Sequence, residues 1–169
     1  MMAYRFYVAT VFLFFSVAYV SGCGSEAAQD GELDMSYCEA NPVAAPGQLC
    51  ASLALPADMP AAPEKVSFHF FDAFPPFGPP SLMGLELATQ AELADFVAGA
   101  EVPMILENLP SEGEGFLYVA VYMPGGGATT WVAVPGVDYV GFPSDMAPVS
   151  FTGEPINLML PINLSLAAE

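Results

Sequence analysis

The chain has 169 residues, of which 54% are hydrophobic and 12% charged, with 19 Asp and Glu against 2 Lys and Arg. The formal net charge of −17 argues against a nucleic-acid-binding function, since contacts to phosphate depend on Lys and Arg. It argues equally against a basic patch for anionic lipid headgroups, and it favours either a solvated, self-repelling surface or a cation-attracting one.

The first 22 residues have the layout of a secretory signal peptide. Arg5 precedes an almost wholly apolar run from Phe6 to Val20, which is shorter than the roughly 20 residues of a membrane span. The run ends in Val20-Ser21-Gly22-Cys23, which resembles a bacterial lipobox. The resemblance implies cleavage after residue 22 and a diacylglyceryl group on Cys23. A secreted form without lipid and a retained transmembrane anchor are the alternatives.

Lipidation would attach the chain to a bilayer through Cys23, since two acyl chains are enough for stable anchoring. Gly24 stands where familiar lipoproteins of the inner membrane tend to carry aspartate, so the resemblance implies the outer membrane of a bacterial cell envelope. Residues 23–47 are mostly small, with several acids and prolines, which is typical of a flexible tether. Residues 48–169 are long enough to form one domain with its own core.

Three cysteines bear on the compartment. If Cys23 carries the lipid, Cys38 and Cys50 remain, and an oxidising envelope would let them form a disulfide. In the chain-entropy relation, a disulfide that closes a loop of this length stabilises the folded state by about 3 kcal/mol. A metal-binding pair is the alternative, but two thiols with one distant histidine make a poor zinc set. The sequence therefore predicts a disulfide.

From Leu49 onward the larger apolar residues tend to alternate, which is typical of β-strands. Strands are predicted at residues 49–55, 65–74, 102–107, 116–123, 130–134, 137–141, 149–152 and 155–166, the last with a break near Pro161. One short helix is expected at residues 89–98, because Thr89-Gln90-Ala91-Glu92 fits a capping box and Gly99 is placed to end it. Many short strands separated by Pro and Gly predict a mainly β fold, a single antiparallel β-sandwich.

The second half of the chain contains several motifs of one known module. They are Val-Pro-Met-Ile-Leu-Glu-Asn-Leu-Pro at 102–110, Gly-Phe-Leu-Tyr-Val-Ala-Val-Tyr-Met at 115–123, Asp-Tyr-Val-Gly-Phe at 138–142, Ala-Pro-Val-Ser-Phe-Thr at 147–152 and Pro-Ile-Asn-Leu-Met-Leu at 155–160. Together they resemble the transthyretin-like (prealbumin-like, carboxypeptidase-regulatory-like) sandwich of bacterial exported proteins. The resemblance implies that fold over about residues 101–166.

The resemblance also raises the question of a cation site. Lipoproteins with this module often carry an Asp-rich, calcium-type loop after the Tyr-x-Val strand, but here Met123-Pro-Gly-Gly-Gly-Ala128 has no carboxylate. Asp138 and Asp145 lie close in sequence and could share one ion as a weak cation site, since calcium prefers several hard oxygen ligands. The alternative is that both are solvated loop acids.

Catalytic residues are scarce. The only histidine, His69, lies within a predicted strand and is expected at the surface or partly buried. Ser111 has no nucleophile elbow around it, and Glu112 and Glu114 lie in a Gly-flanked loop, which favours a solvated turn over acid–base chemistry. Related folds that host dioxygenases or hydroxyisourate hydrolases need several His or Arg residues. The sequence therefore predicts no enzyme, no cofactor and no metal centre.

Two aromatic regions are candidate interaction sites. Phe74-Pro-Pro-Phe77-Gly-Pro-Pro80 cannot lie inside a sheet, so Phe74 and Phe77 belong either to an exposed docking loop or to a buried cap. Tyr118, Tyr122, Trp131 and Tyr139 could form a carbohydrate or peptide platform, or fill the core. The predicted function is a non-enzymatic, lipid-anchored envelope module that contacts envelope proteins or glycans. The alternative is a lipoprotein that binds a ligand or a cation, such as carbohydrate or Ca²⁺.

Overall fold

Strands dominate the computed structural model, which describes residues 36–76, 78–130, 132–143 and 146–168, with the backbone alone at 157–159. A short helix, α1 (Ser36–Ala40), precedes the strands. They are β1 (Leu49–Ala54), β2 (Lys65–Phe71), β3 (Leu82–Leu87), β4 (Glu101–Leu106), β5 (Glu112–Tyr122), β6 (Tyr139–Pro143), β7 (Val149–Thr152) and β8 (Ile156–Leu166). The prediction of a mainly β fold is confirmed.

The strands form one mixed sheet in the order β3-β2-β5-β6-β8-β1-β4, and β7 pairs with the first residues of β5. Neighbouring strands are antiparallel except β1 and β8, which run parallel. The last strand enters between β6 and β1 and gives both of them a partner. The sheet is therefore mixed rather than purely antiparallel.

The sheet curls so that its two edge strands approach each other. A Cβ added at Gly84 of β3 would lie 3.2 Å from Leu109 Cδ2 and 3.4 Å from the Glu107 carbonyl oxygen, just beyond β4. The curl encloses a core built from alternate residues of each strand, which include Val66, Phe68, Phe70, Leu117, Val119 and Val121. Burying an apolar side chain of this size stabilises the fold by about 1.5–3 kcal/mol. The alternation of apolar residues therefore determines which face of each strand is buried.

Strand β2 is buried on its second face as well. Ser67 and His69 point away from the core, yet both have an exposed fraction of 0%. Their antiparallel partners on β5 are Ala120 and Tyr118. We call this second face of β2, β5 and β6 the outer face.

The predicted helix at residues 89–98 is wrong, although its capping box is present. The Glu92 amide donates to Thr89 Oγ1 at 3.2 Å, and the Thr89 amide donates to the Glu92 carboxylate at 2.9 Å. Leu93 closes one helical turn on Thr89, but the next bond runs from the Phe96 amide to the Leu93 carbonyl, which tightens the chain. The bonds that follow, from the Val97 amide to Asp95 and from the Ala100 amide to Val97, also form turns, so no regular helix develops after the cap.

Other element boundaries also differ from the prediction. Residues 82–87 form a strand that was not predicted, whereas residue 130 and residues 132–134 lie outside strands. Pro161 does not interrupt β8: it pairs with Ser52 of β1, and β6 ends opposite the next residue, Ile162. A residue without an amide hydrogen is tolerated where one neighbouring strand has ended.

Two buried side chains precede Gln48, where the domain is predicted to start. Cys38 and Val43 have exposed fractions of 3% and 5%, whereas most of residues 36–47 are exposed. The predicted disulfide between Cys38 and Cys50 is confirmed. It joins α1 to β1. The signal peptide, Cys23 and the first part of the predicted tether lie outside the described residues.

Candidate interaction site on the outer sheet face

Five aromatic side chains gather at one end of the outer face. We call them the aromatic cluster: Phe71, Phe74, Phe116, Tyr118 and Phe142. The Phe74 ring lies 5.5 Å from Phe116 and 5.4 Å from Phe142, and the Tyr118 ring lies 5.2 Å from Phe142 and 6.1 Å from Phe71. These centroid separations are those of favourable aromatic pairs, each contributing about 0.5–1.5 kcal/mol beyond area burial.

Strand pairing assembles this cluster from distant parts of the sequence. Phe71 of β2 lies opposite Phe116 of β5, and Val140 of β6 lies opposite Ala120 of β5, which puts Phe142 on the same face as Tyr118. Phe74 reaches the cluster because β2 ends at Phe71 and the chain then turns. The cluster therefore depends on the pairing register of β2, β5 and β6, and no single sequence motif predicts it.

Phe74 lies between the exposed and the buried placement that the sequence left open. Its ring packs on two neighbours, yet 40% of the residue remains exposed. Phe77, its predicted companion, lies outside the described residues. Of the predicted docking loop, the structure thus places Phe74 as an anchored aromatic side chain with an accessible face.

A cavity of about 270 Å³ adjoins the cluster. Its walls include Phe71, Pro76, Tyr118, Val132 and Phe142, and they are mostly apolar. Pockets for drug-sized ligands span roughly 300–1,000 Å³, so this one fits a single side chain or ring better than a large ligand.

Tyr118 brings a hydroxyl group to this apolar cavity. Burial raises the pKa of Tyr118 to about 12, and the nearby Asp138 charge acts in the same direction. The phenol therefore stays protonated at physiological pH and keeps its hydrogen-bond donor.

Asp138 shapes the loop beside the cavity. It has an exposed fraction of 0%, and its oxygens accept hydrogen bonds from the amides of Met123 (2.8 Å), Gly127 (2.8 Å) and Val134 (2.7 Å). A Cβ at Gly126 would overlap the carboxylate, which explains a glycine at this position. The loop from 123 to 138 is thus folded around one buried carboxylate.

This arrangement bears on the predicted cation site. Asp138 is neither a solvated loop acid nor open to solvent, because its carboxylate is buried and directed at amide hydrogens. Those donors already supply the positive partial charge that a cation would bring. Asp145 lies outside the described residues, and the proposed pair therefore stays a prediction.

His69 is fully buried, more deeply than predicted. Its Nδ1 lies 2.9 Å from Met83 Sδ, and its Nε2 lies 3.4 Å from the Tyr122 hydroxyl oxygen. Burial lowers the pKa of His69 to about 4, with Lys65 acting in the same direction and Glu86 opposing it. The imidazole is therefore neutral at physiological pH.

The remaining predicted residues are dispersed. Glu112 and Glu114 lie in β5, paired with β7, rather than in a loop, and Glu114 accepts a hydrogen bond from Ser150 at 3.3 Å. Tyr122 and Tyr139 are buried, with exposed fractions of 0% and 7%, so neither offers a platform. Trp131 lies outside the described residues. Across the described ranges, no three His, Cys, Asp or Glu side chains are grouped as a metal site.

No protein-family model, curated protein or solved structure matches this chain. Among the described residues, no helix has the length and apolar character needed to cross a membrane. The lipobox and the transthyretin-like resemblance therefore remain predictions from sequence.

Proposed function

We propose that this protein is a lipid-anchored module of a bacterial envelope that binds another envelope protein and catalyses no reaction. The observation that carries the proposal is Phe74, 40% exposed and held by two ring contacts at the edge of the aromatic cluster. Rigid aromatic anchors beside small apolar pockets are typical of binding hot spots. An acylated Cys23 followed by the predicted tether would hold this surface away from the bilayer.

The chemistry of the cavity favours a protein partner over a glycan. A sugar presents many hydroxyl groups, and each needs a polar partner when it is buried. Of the wall residues named above, only Tyr118 carries a polar side-chain group. An apolar side chain of a partner fits these walls, and a partner of neutral or basic character fits the net charge of −17.

We also propose that the curled sheet is a form of the transthyretin-like sandwich. The support is the set of motifs between residues 101 and 166 together with strands that curl around one core. Mixed pairing through β8 distinguishes it from a wholly antiparallel arrangement.

The contact proposal is tested by crosslinking in native membranes. We compare the full chain with Phe74→Ala and with Val97→Ala, a control that is 57% exposed in the connection between β3 and β4. Phe74→Ala should lose a specific crosslinked protein while its fold and membrane attachment persist, and Val97→Ala should retain it. An unchanged crosslinking pattern in a folded Phe74→Ala variant would exclude this surface.

The anchor is tested separately by the intact mass of protein extracted from membranes, with and without reductant. The expected species begins at an acylated Cys23 and gains the mass of two hydrogens when the Cys38–Cys50 disulfide is reduced. A Cys23→Ser variant should leave the membrane fraction. A soluble wild-type chain cut elsewhere and free of lipid would remove the anchored part of the proposal.

A further inference from the structure

A polar cleft lies between α1 and the strands β1 and β4, on the side of the sheet that faces away from the core. Leu49 and Leu53 of β1 belong to the core, so the alternate residues Cys50 and Ser52 point to the opposite side. The disulfide from Cys50 to Cys38 holds α1 against that side. The cleft has a volume of about 450 Å³, which lies within the roughly 300–1,000 Å³ of typical small-molecule sites. It shares no lining residue with the cavity beside the aromatic cluster.

A buried hydroxyl group fixes a carboxylate in this cleft. Ser52 has an exposed fraction of 2%, and its hydroxyl donates to Glu101 Oε1 at 2.6 Å. Distances of roughly 2.5–2.7 Å are those of strong hydrogen bonds from a hydroxyl group to a carboxylate. Glu101 is itself exposed and lines the cleft. The carboxylate is therefore held in one orientation and still offers its second oxygen, Oε2, as an acceptor.

Tyr37 and Asn41 form the wall of the cleft on the α1 side. They are four residues apart and joined by the helical bond from the Asn41 amide to the Tyr37 carbonyl, so they lie on the same side of the turn. The Asn41 side-chain amide donates to the same carbonyl at 3.0 Å, which fixes its orientation. Tyr37 is half-buried and packs against the disulfide. The wall therefore presents an ordered amide, which both donates and accepts hydrogen bonds, beside a phenol group with an aromatic face.

We propose that this cleft binds a neutral sugar ring, a hexopyranose unit of a glycan. Each sugar hydroxyl both donates and accepts, so it can pair with the Glu101 carboxylate as a donor and with the Asn41 amide in either role. Burial of sugar hydroxyl groups is unfavourable unless each of them finds such a partner. The apolar C–H face of the ring can pack on the aromatic face of Tyr37. This site is additional to the protein contact proposed for the aromatic cluster and does not depend on it.

The charge of the molecule favours a neutral sugar over an acidic one. None of the described residues that line the cleft is Lys or Arg, and the Glu101 carboxylate repels the carboxylate of an acidic sugar. The net charge of −17 adds to this repulsion. An ammonium group would be attracted, but it can only donate hydrogen bonds, so it makes no use of the donors on Asn41 and Tyr37. A neutral ring with several hydroxyl groups uses the donors and the acceptors together.

The test titrates the full ¹⁵N-labelled chain, in a detergent without a sugar headgroup, with the methyl glycosides of glucose, galactose, mannose and N-acetylglucosamine. Amide ¹H–¹⁵N spectra follow each titration. At least one of the four glycosides should cause saturable shifts of the Tyr37, Ser52 and Glu101 amides, and glucuronic acid should cause none at the same concentrations. No saturable response to any of the four, or saturable shifts confined to residues outside the cleft, would overturn the proposal.

Paired glutamate variants test the role of the carboxylate. Glu101→Gln keeps the size of the side chain and an acceptor for Ser52 but removes the charge, so it should weaken glycoside binding by at least about tenfold. Glu107→Gln is the matched control, because Glu107 follows the other end of β4 and accepts a hydrogen bond from Gln48 Nε2 at 3.1 Å. It should leave the affinity unchanged.

Two further outcomes would contradict the sugar site. One is equal glycoside affinity in wild type and in a folded Glu101→Gln variant. The other is ethylammonium chloride that binds the wild-type cleft more tightly than every glycoside, which would assign the cleft to a cationic ligand. The wild-type titrations decide even if Glu101→Gln is unstable.

Discussion

A single buried carboxylate organises the loop beside the aromatic cluster. Replacing Asp138 by alanine removes hydrogen bonds to three backbone amides and leaves those donors without their acceptor. Hydrogen bonds to charged groups contribute about 1.5–3 kcal/mol each, so Asp138→Ala should lower the free energy of unfolding by at least about 3 kcal/mol. Urea unfolding measures the change.

The matched control for this substitution is Glu154→Ala, which truncates an exposed acid in the described part of the chain. It should change the free energy of unfolding by no more than about 0.5 kcal/mol. Equal stabilities of Asp138→Ala and Glu154→Ala would show that the loop holds its shape without the carboxylate.

His69 makes the free energy of unfolding depend on pH. Because its pKa is about 4 in the folded chain and 6.5 in the unfolded chain, the unfolded chain takes up the proton first as pH falls. The contribution of His69 is therefore present above pH 6.5 and is lost as pH falls from 6.5 towards 4. The imidazole Cε1–H resonance should titrate with a midpoint of about 4.

Comparison with His69→Gln separates the pH dependence caused by His69 from that caused by the carboxylates. Hydrogen bonds from Thr89 hold the pKa of Glu92 below its usual value, so Glu92 also loses stabilisation as pH falls, but equally in both chains. The urea midpoint of wild type should fall more steeply between pH 7 and pH 4.5 than that of His69→Gln. Parallel profiles, or a resonance that titrates near 6.5, would contradict the burial of the ring.

Among the elements, α1 depends most on a covalent link. It has five residues, too few for a stable isolated helix, and the disulfide attaches it to β1. The double variant Cys38→Ala/Cys50→Ala should lose about 3 kcal/mol in unfolding free energy, the chain-entropy value for a loop of this length. Reduction of the wild-type protein should reproduce the loss, and a change under 1 kcal/mol in both cases would mean that packing alone holds α1.

Element prediction from sequence succeeded where one local pattern was enough. The alternation in β1 and β2 located both strands, because apolar residues occupy the inward position at every second residue. Strand β3 was missed because it contains a bulge, where the pairing with β2 shifts between Glu86 and Met83 and the alternation is interrupted. The capping box at Thr89 was right, but the backbone bonds after Leu93 form turns rather than a helix, and the cap alone does not reveal this.

The candidate site was only partly predictable, for a related reason. Phe74 was identified from its proline-rich surroundings, whereas Phe116 and Phe142 join it through the register of strands far apart in sequence. The role of Asp138 depends on amides up to fifteen residues away, which no short motif records. Local patterns thus predict strands, while sites assembled across strands require the structure.

At the scale of the whole molecule, the charge is almost entirely of one sign. The sequence has 19 acidic residues and two basic ones. Most acidic side chains therefore repel one another, and the Lys65–Glu86 ion pair in the described part of the chain is an exception. Repulsion between like charges lowers the stability of the folded state, and dissolved salt screens this repulsion. Stability should therefore respond to ionic strength throughout the molecule rather than at one site.

We accordingly expect the melting temperature to rise by several degrees when NaCl increases from about 0.01 M to about 0.15 M, as the Debye length shortens from about 30 Å to about 8 Å. Thermal unfolding followed by circular dichroism measures the shift. CaCl₂ and MgCl₂ at equal ionic strength should act alike, because the described carboxylate of the predicted cation pair, Asp138, already binds three amides. A larger rise with Ca²⁺ that Asp145→Asn abolishes would instead establish the predicted cation site. Equal Ca²⁺ and Mg²⁺ curves would assign the response to screening alone.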